Sequence, residues 1–254
     1  MKLSSKPEVV VVTGASAGLG RAIVREFARE GANVGLLARG RERLEETRRE
    51  AEALGGRAIV LTTDVADAEA VERAAVAVER EFVPIDIWVN NAMANIFAPF
   101  DQVTPEEFKR ATEAPYLGYV HGAMAALKRM KPRDRGVIIQ VGSALPYRSI
   151  PLQSAYCGAK HAVVGFTDSI RSEPLRDGGN AHITIAHMPA LNMPQFEWSR
   201  SRMPRHPQPA PPIFQPKRRL ALRSVEERGR AAHRPSTAAR LTYSRFVGET
   251  GSVD

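Results

Sequence analysis

The chain holds one cysteine, Cys157, so no disulfide can form within it and a disulfide-stapled scaffold is excluded. Long apolar runs are missing: nothing approaches the about 20 apolar residues of a transmembrane helix. The short run in MKLSSKPEVVVVTGAS reads as a first strand rather than a signal peptide, and a cytoplasmic, reducing setting is the expectation. No metal is expected, because His121, His161, His182 and His187 show no ligand spacing and no paired carboxylates, and they are read as structural. Charge imbalance is absent from most of the chain. Residues 1–199 hold 24 basic and 24 acidic residues, whereas residues 200–254 hold 12 and 4, so the whole net charge of +8 arises after residue 199. No aromatic-interleaved basic motif is found there, so no specific nucleic-acid partner is expected, and no membrane.

What is present is ordinary for a globular domain: 254 residues, 43% hydrophobic and 25% charged. Apolar runs at 9–14, 33–38, 58–65, 85–92, 136–143 and 182–189 read as strands. Between them lie helices at about 18–30, 41–54, 67–82, 105–130 and 154–175. Trp88 is read as core and Cys157 as a small packing residue. Strands that alternate with helices and are apolar throughout predict an α/β fold, a single doubly wound Rossmann-type domain whose parallel sheet is flanked by helices. The expected organisation is a dinucleotide-binding and catalytic part at 1–188, a Pro-rich substrate loop at 189–216 and a basic segment at 217–254. The proline-rich run from Pro189 to Pro216 is expected to be loop or extended, with Met193, Phe196, Trp198 and Phe214 free to line an apolar pocket. The segment 217–254 carries no apolar run fit for a buried strand, so the C-terminal strand of the sheet is expected to be missing or irregular, as in an out-of-frame ending.

The first strand runs through Thr13-Gly14-Ala15-Ser16-Ala17-Gly18-Leu19-Gly20 into a helix. Glycines there let the backbone turn sharply and approach a pyrophosphate at the positive end of the helix. The second strand ends in Ala38 with Arg39 next and Arg41 and Arg43 close by. No carboxylate stands at that end to repel a 2′-phosphate, and a guanidinium suits a phosphate monoester, so NADP(H) is favoured over NAD(H). The alternative is that these arginines only open a solvated helix. Tyr156 and Lys160 lie four residues apart, on one helix face, which would bring an ammonium near a phenol and favour the phenolate. Tyr156 would then give or take a proton, while Ser143 hydrogen-bonds the substrate oxygen.

These motifs together resemble the short-chain dehydrogenase/reductase family over about residues 8–189: the T-G-x-x-x-G-x-G turn, Asn90-Asn91-Ala92, Ser143, and Tyr156-Cys157-Gly158-Ala159-Lys160 with the serine thirteen residues before the tyrosine. The resemblance implies catalytic roles for Ser143, Tyr156 and Lys160, with Lys160 also holding the nicotinamide ribose. It implies nucleotide contacts from Gly14, Ser16, Gly18, Leu19, Gly20, Arg39, Asp64, Asn90, Ala92 and Pro189. Asp64 is either the adenine contact or a cap for the helix that begins near Asp67. The implied reaction is hydride transfer between a secondary alcohol and a ketone, on a small molecule that is bulky and hydrophobic if the loop lines the site. A homodimer or homotetramer through the helices at 105–130 and 154–175 is implied as well. The alternative is a cofactor-binding protein with weak or no turnover. It draws on three departures: Met93 follows Asn90-Asn91-Ala92 where the family has glycine, Pro115 stands at the asparagine of the proton relay, and Pro189-Ala190-Leu191-Asn192-Met193 lacks the expected glycine and threonine.

Overall fold

Four consecutive valines head the first strand, and β-branched side chains, stiff at χ1, favour extended backbone. They form β1 (Val9–Thr13), buried along its whole length; each buried valine is worth about 1.5–3 kcal/mol relative to exposure. The computed structural model describes residues 7–205, 207–209 and 213–214. Strands and helices then alternate: α1 (Gly18–Arg29), β2 (Asn33–Ala38), α2 (Arg41–Ala53), β3 (Arg57–Thr62), α3 (Ala68–Phe82) and β4 (Ile87–Asn90). The second half holds β5 (Ile96–Phe97), α4 (Pro105–Thr112), α5 (Gly118–Met130), β6 (Gly136–Ser143), α6 (Ser154–Arg176), β7 (Ala181–Met188), α7 (Gln195–Trp198) and β8 (Arg200–Ser201).

The main sheet has the order β3-β2-β1-β4-β6-β7, and every pairing in it is parallel. This is the doubly wound order, and its direction reverses between β1 and β4, where a crevice opens at the carboxyl ends of the strands. One face is closed by α1 and α2 through Ile23, Phe27 and Leu44. The other is closed by α3 and α5 through Val71, Val78, Ala126 and Met130, with Phe166 and Ile170 of α6 packed alongside. Arg21 and Arg25 of α1 both reach Glu50 of α2, at 2.7–3.0 Å, and clamp the two helices together. Trp88 is fully buried in β4, and Cys157 is buried in α6.

The helix expected over 105–130 is two α-helices joined by a π turn at Glu113–Leu117. Pro115 sits in that turn and is buried. A proline inside a helix leaves one carbonyl without its donor. The wider turn shows in the bond from the Gly118 N–H to the Glu113 carbonyl, five residues back rather than four.

The Pro-rich stretch also departs from a pure loop, since α7 and β8 fall within it. Pro194 precedes the short helix, a place where its fixed φ and missing N–H cost nothing. β8 pairs in parallel with β5, and Arg200 and Arg202 both hold Glu107 of α4 at 2.8 Å. Leu191 forms a bridge with Phe214. The basic segment 217–254, and with it any further strand, lies outside the described residues.

Candidate active site

The turn after β1 is shaped by what its backbone must approach. Gly14 has φ +67, and a Cβ there would lie 2.9 Å from both Ala92 Cα and Asn91 Nδ2. At Gly20 a Cβ would fall 2.1 Å from the Gly14 carbonyl oxygen. Both positions therefore exclude a side chain, and α1 can begin directly beneath the turn. Its N-cap, Ala17, supplies no side-chain hydrogen bond, and the first turn has no acidic residue. The N-terminal N–H groups and their positive dipole end face the crevice, an arrangement that suits a phosphate.

Beside this turn lies a cavity of about 560 Å³. Gly14, Ser16, Gly18 and Leu19 line it from the turn, Arg39, Arg41 and Arg43 from the end of β2, and Asp64 from beyond β3. Ala92 and Met93 line it from the end of β4, and Met193, Pro194 and Trp198 from the loop above. A hypothetical Cβ on Gly18 would meet the Met193 sulfur at 3.4 Å, so the loop rests directly on the phosphate turn. The Arg43 guanidinium stacks over Trp198, 4.1 Å from the ring centroid, and joins the two walls of the cleft.

Of the residues that the sequence expects on the nucleotide, Gly20, Asn90, Pro189 and Lys160 are not on the wall of this cavity. Gly20 stands behind the turn. Asn90 is fully buried: its Oδ1 accepts from Trp88 Nε1 at 2.9 Å and its Nδ2 donates to the Tyr119 carbonyl at 3.2 Å. Pro189 sits just past β7 and is not part of the cavity wall; Met193 and Pro194, further along, are. Asp64 does not cap α3, because Asp67 does so by accepting from the Ala70 N–H at 2.9 Å. Asp64 instead accepts from the Ala66 N–H at 3.1 Å and pairs with Arg110 at 2.9 Å. Burial works to raise the Asp64 carboxyl, but Ala66, Arg110 and the charge of Arg39 together hold it below its ordinary value. Arg110 lies 46 positions away on α4, and nothing in its local sequence announces the pairing.

Ser143, Tyr156 and Lys160 come together at the carboxyl end of β6. Ser143 is the last residue of the strand, and the two others lie in the first turns of α6. The Ser143 hydroxyl, which accepts from the Leu145 N–H at 3.2 Å, neighbours the Tyr156 phenol. Burial pushes that phenol up to about 12, with the Ser143 hydroxyl opposing it. The sequence placed the Lys160 ammonium against this phenol to lower it. In the structure Nζ stands 5.8 Å from the Tyr156 ring centroid, and its hydrogen bonds run to Tyr119 Oη at 2.9 Å and the Val141 carbonyl at 2.7 Å. Lys160 is 3% exposed, and burial pushes it down to about 7.

His121, His161 and His187 each hydrogen-bond a backbone carbonyl. His121 Nδ1 meets the Val65 carbonyl at 2.9 Å, and His161 Nδ1 the Cys157 carbonyl at 2.8 Å. His187 lies closest to the catalytic group, with Nδ1 donating to the Ser143 carbonyl at 2.9 Å and Nε2 accepting from Tyr147 Oη at 3.0 Å. Burial lowers His187 from its ordinary value, which fits this neutral tautomer. Among the described residues no group of three or more His, Cys, Asp or Glu is placed to hold a metal ion.

A model of the family described as short chain dehydrogenase matches residues 8–189. The chain is 36% identical over 203 residues to the oxidoreductase YxnA of Bacillus subtilis, covering 80% of this chain and 57% of that protein. It is 34% identical over 179 residues to the dehydrogenase/reductase SDR family member 7B of Bos taurus, covering 68% and 55%. It is 32% identical over 192 residues to the 3-dehydrosphinganine reductase of Danio rerio, covering 74% and 57%. The chain thus spans a little over half the length of these curated relatives.

Proposed function

The chain belongs to the short-chain dehydrogenase/reductase family, and from that membership we propose that it is an NADP(H)-dependent oxidoreductase that interconverts a secondary alcohol and a ketone. The observation that carries the reading is the junction at the end of β6. There a serine hydroxyl neighbours a buried phenol, with a lysine ammonium one helical turn beyond.

The cleft fits the nucleotide on three counts. The turn has no room for side chains at Gly14 and Gly20. The N-terminus of α1 carries no side-chain cap. Three arginines line the wall where the adenosine ribose of a dinucleotide would lie. Ser16, Gly18 and Leu19 would hold the pyrophosphate, Arg39 and Arg43 a 2′-phosphate, Asp64 the adenine, and Ala92 and Lys160 the nicotinamide half. The bound nucleotide supplies or takes up a hydride.

The residues of the chain manage the proton. At neutral pH Tyr156 carries its hydrogen, so it is loaded to donate to the oxygen of a ketone as charge grows there. Ser143 is placed to turn its hydroxyl from the phenol to that same oxygen. The charged form of Lys160 stabilises the phenolate left behind, and in the oxidative direction the steps reverse. The name of one relative, 3-dehydrosphinganine reductase, supports reduction as the working direction. Met193 and Trp198 over the cleft and the contact of Phe196 with Phe97, at 5.8 Å between ring centroids, support a bulky, apolar substrate.

A homodimer or homotetramer through α4, α5 and α6 belongs to the same proposal, supported by the exposure of Leu117 and Met124, as does a cytoplasmic setting. No helix among the described residues is long and apolar enough to cross a membrane. Consumption of NADPH with a panel of bulky ketones tests the reaction. Tyr156→Phe should lower kcat about 10²–10⁴-fold with nucleotide binding retained. Nucleotide binding without turnover of any ketone or alcohol would favour a catalytically weak protein, the reading to which Pro115, Met93 and Met193 point.

A further inference from the structure

A buried ammonium must find acceptors, because desolvating it without them costs several kcal/mol. Among the described residues Lys160 has no carboxylate partner, and its hydrogen bonds run to Tyr119 Oη and the Val141 carbonyl. Tyr119 is itself 1% exposed and held from both ends. Its hydroxyl donates to the Val141 carbonyl at 3.0 Å, and its own carbonyl accepts from Asn90 Nδ2 at 3.2 Å. The three groups Tyr119 Oη, Val141 O and Lys160 Nζ therefore close a triangle of 2.7, 2.9 and 3.0 Å. Nζ also lies 4.4 Å from the centroid of the Tyr119 ring.

We propose that Tyr119 is a positioning residue for Lys160: it reaches from α5 to fix the ammonium, in a chain whose relay position one helical turn earlier is occupied by Pro115. Proline offers no side-chain polar group, and the π turn that accommodates it leads directly into the turn of α5 that bears Tyr119. An ammonium has three N–H donors. Two are committed to the triangle, so the third is directed rather than free to rotate, and Lys160 presents one N–H to the nucleotide ribose and the phenol. Burial raises the Tyr119 phenol well above its ordinary value, so it stays neutral and serves as an acceptor throughout the working range. The other titratable groups facing Lys160 are Tyr156 on its own helix and His187 on β7.

This inference rests on the catalytic reading of Lys160, and its test is read without turnover. Lysine side chains labelled with ¹³C at Cε are titrated by NMR in wild type and Tyr119→Phe, with the Lys160 signal assigned through Lys160→Arg and the His187 ring signals followed separately. Loss of one acceptor disfavours the charged form, so in Tyr119→Phe the protonation equilibrium of Lys160 should weaken about tenfold and its midpoint move to lower pH. An unchanged midpoint overturns the proposal. Wild type must also show NOEs between the Lys160 εCH₂ and the Tyr119 ring; their absence overturns it even if the variant fails to fold. Where wild type turns over NADPH, the alkaline limb of log kcat in Tyr119→Phe should shift toward acid in step with the NMR midpoint, and a limb that stays in place again overturns it. The oxidoreductase reading stands or falls separately, on wild type against Tyr156→Phe.

Discussion

Thr13 and Asn91 hold each other twice. The Thr13 hydroxyl accepts from the Asn91 N–H at 2.9 Å, and the Asn91 side-chain amide donates to the Thr13 carbonyl at 3.0 Å. The same hydroxyl accepts from the Ala92 N–H at 3.0 Å, and it is 1% exposed. The crevice opens where β1 and β4 diverge, and this pair ties their carboxyl ends together at its floor.

Thr13→Val keeps the shape and deletes the acceptor, which leaves two N–H groups without their partner. The expected cost is about 1–3 kcal/mol, read as a lower urea midpoint with an unchanged slope. A midpoint within error of wild type would show that the hydroxyl is dispensable.

Gly20→Ala tests the packing of the phosphate turn. The added methyl would lie 2.1 Å from the Gly14 carbonyl, a backbone atom that cannot yield without moving the turn. Destabilisation of about 1–3 kcal/mol is expected, together with at least tenfold weaker nucleotide binding. Retention of full affinity would mean that the turn is free to shift.

Acid should loosen the first layer of helices. The hydrogen bonds from Arg21 and then Arg25 pull the Glu50 carboxyl down to about 2 from its ordinary 4.5. The unfolded chain regains the ordinary value and takes up the proton first as pH falls. The contribution of Glu50 is therefore complete above about 4.5 and is lost between about 4.5 and about 2. In urea titrations Glu50→Gln should be less stable than wild type near neutrality, and the gap should close as pH drops through that window. A constant gap would place the effect outside the titration of Glu50.

Much of this was legible in the residues. The valine run of β1 and the glycine turn depend on local rules, and the parallel α/β sheet followed from apolar strands alternating with helices; the spacing of Ser143, Tyr156 and Lys160 was legible through the family resemblance. What escaped depends on contacts between distant segments. Arg110 on Asp64, Trp198 on Arg43 and Tyr119 on Lys160 all join residues more than 40 positions apart. The sequence read one helix over 105–130, and only the structure shows that the chain answers Pro115 with a π turn between two helices. The resemblance of Asn90-Asn91-Ala92 put that stretch near the nucleotide; in the structure Asn91 and Ala92 line the cleft, while Asn90 is buried in the core.

The most direct test of the account is titration of the purified full chain with NADPH and NADH, followed by nicotinamide fluorescence, in wild type and Arg39→Ala. The account predicts tighter binding of NADPH than of NADH. It also predicts that Arg39→Ala weakens NADPH by about tenfold or more and leaves NADH nearly unchanged. Equal affinity for the two nucleotides, unaffected by Arg39→Ala, would contradict the cofactor assignment, and failure to bind either would contradict the function built on it.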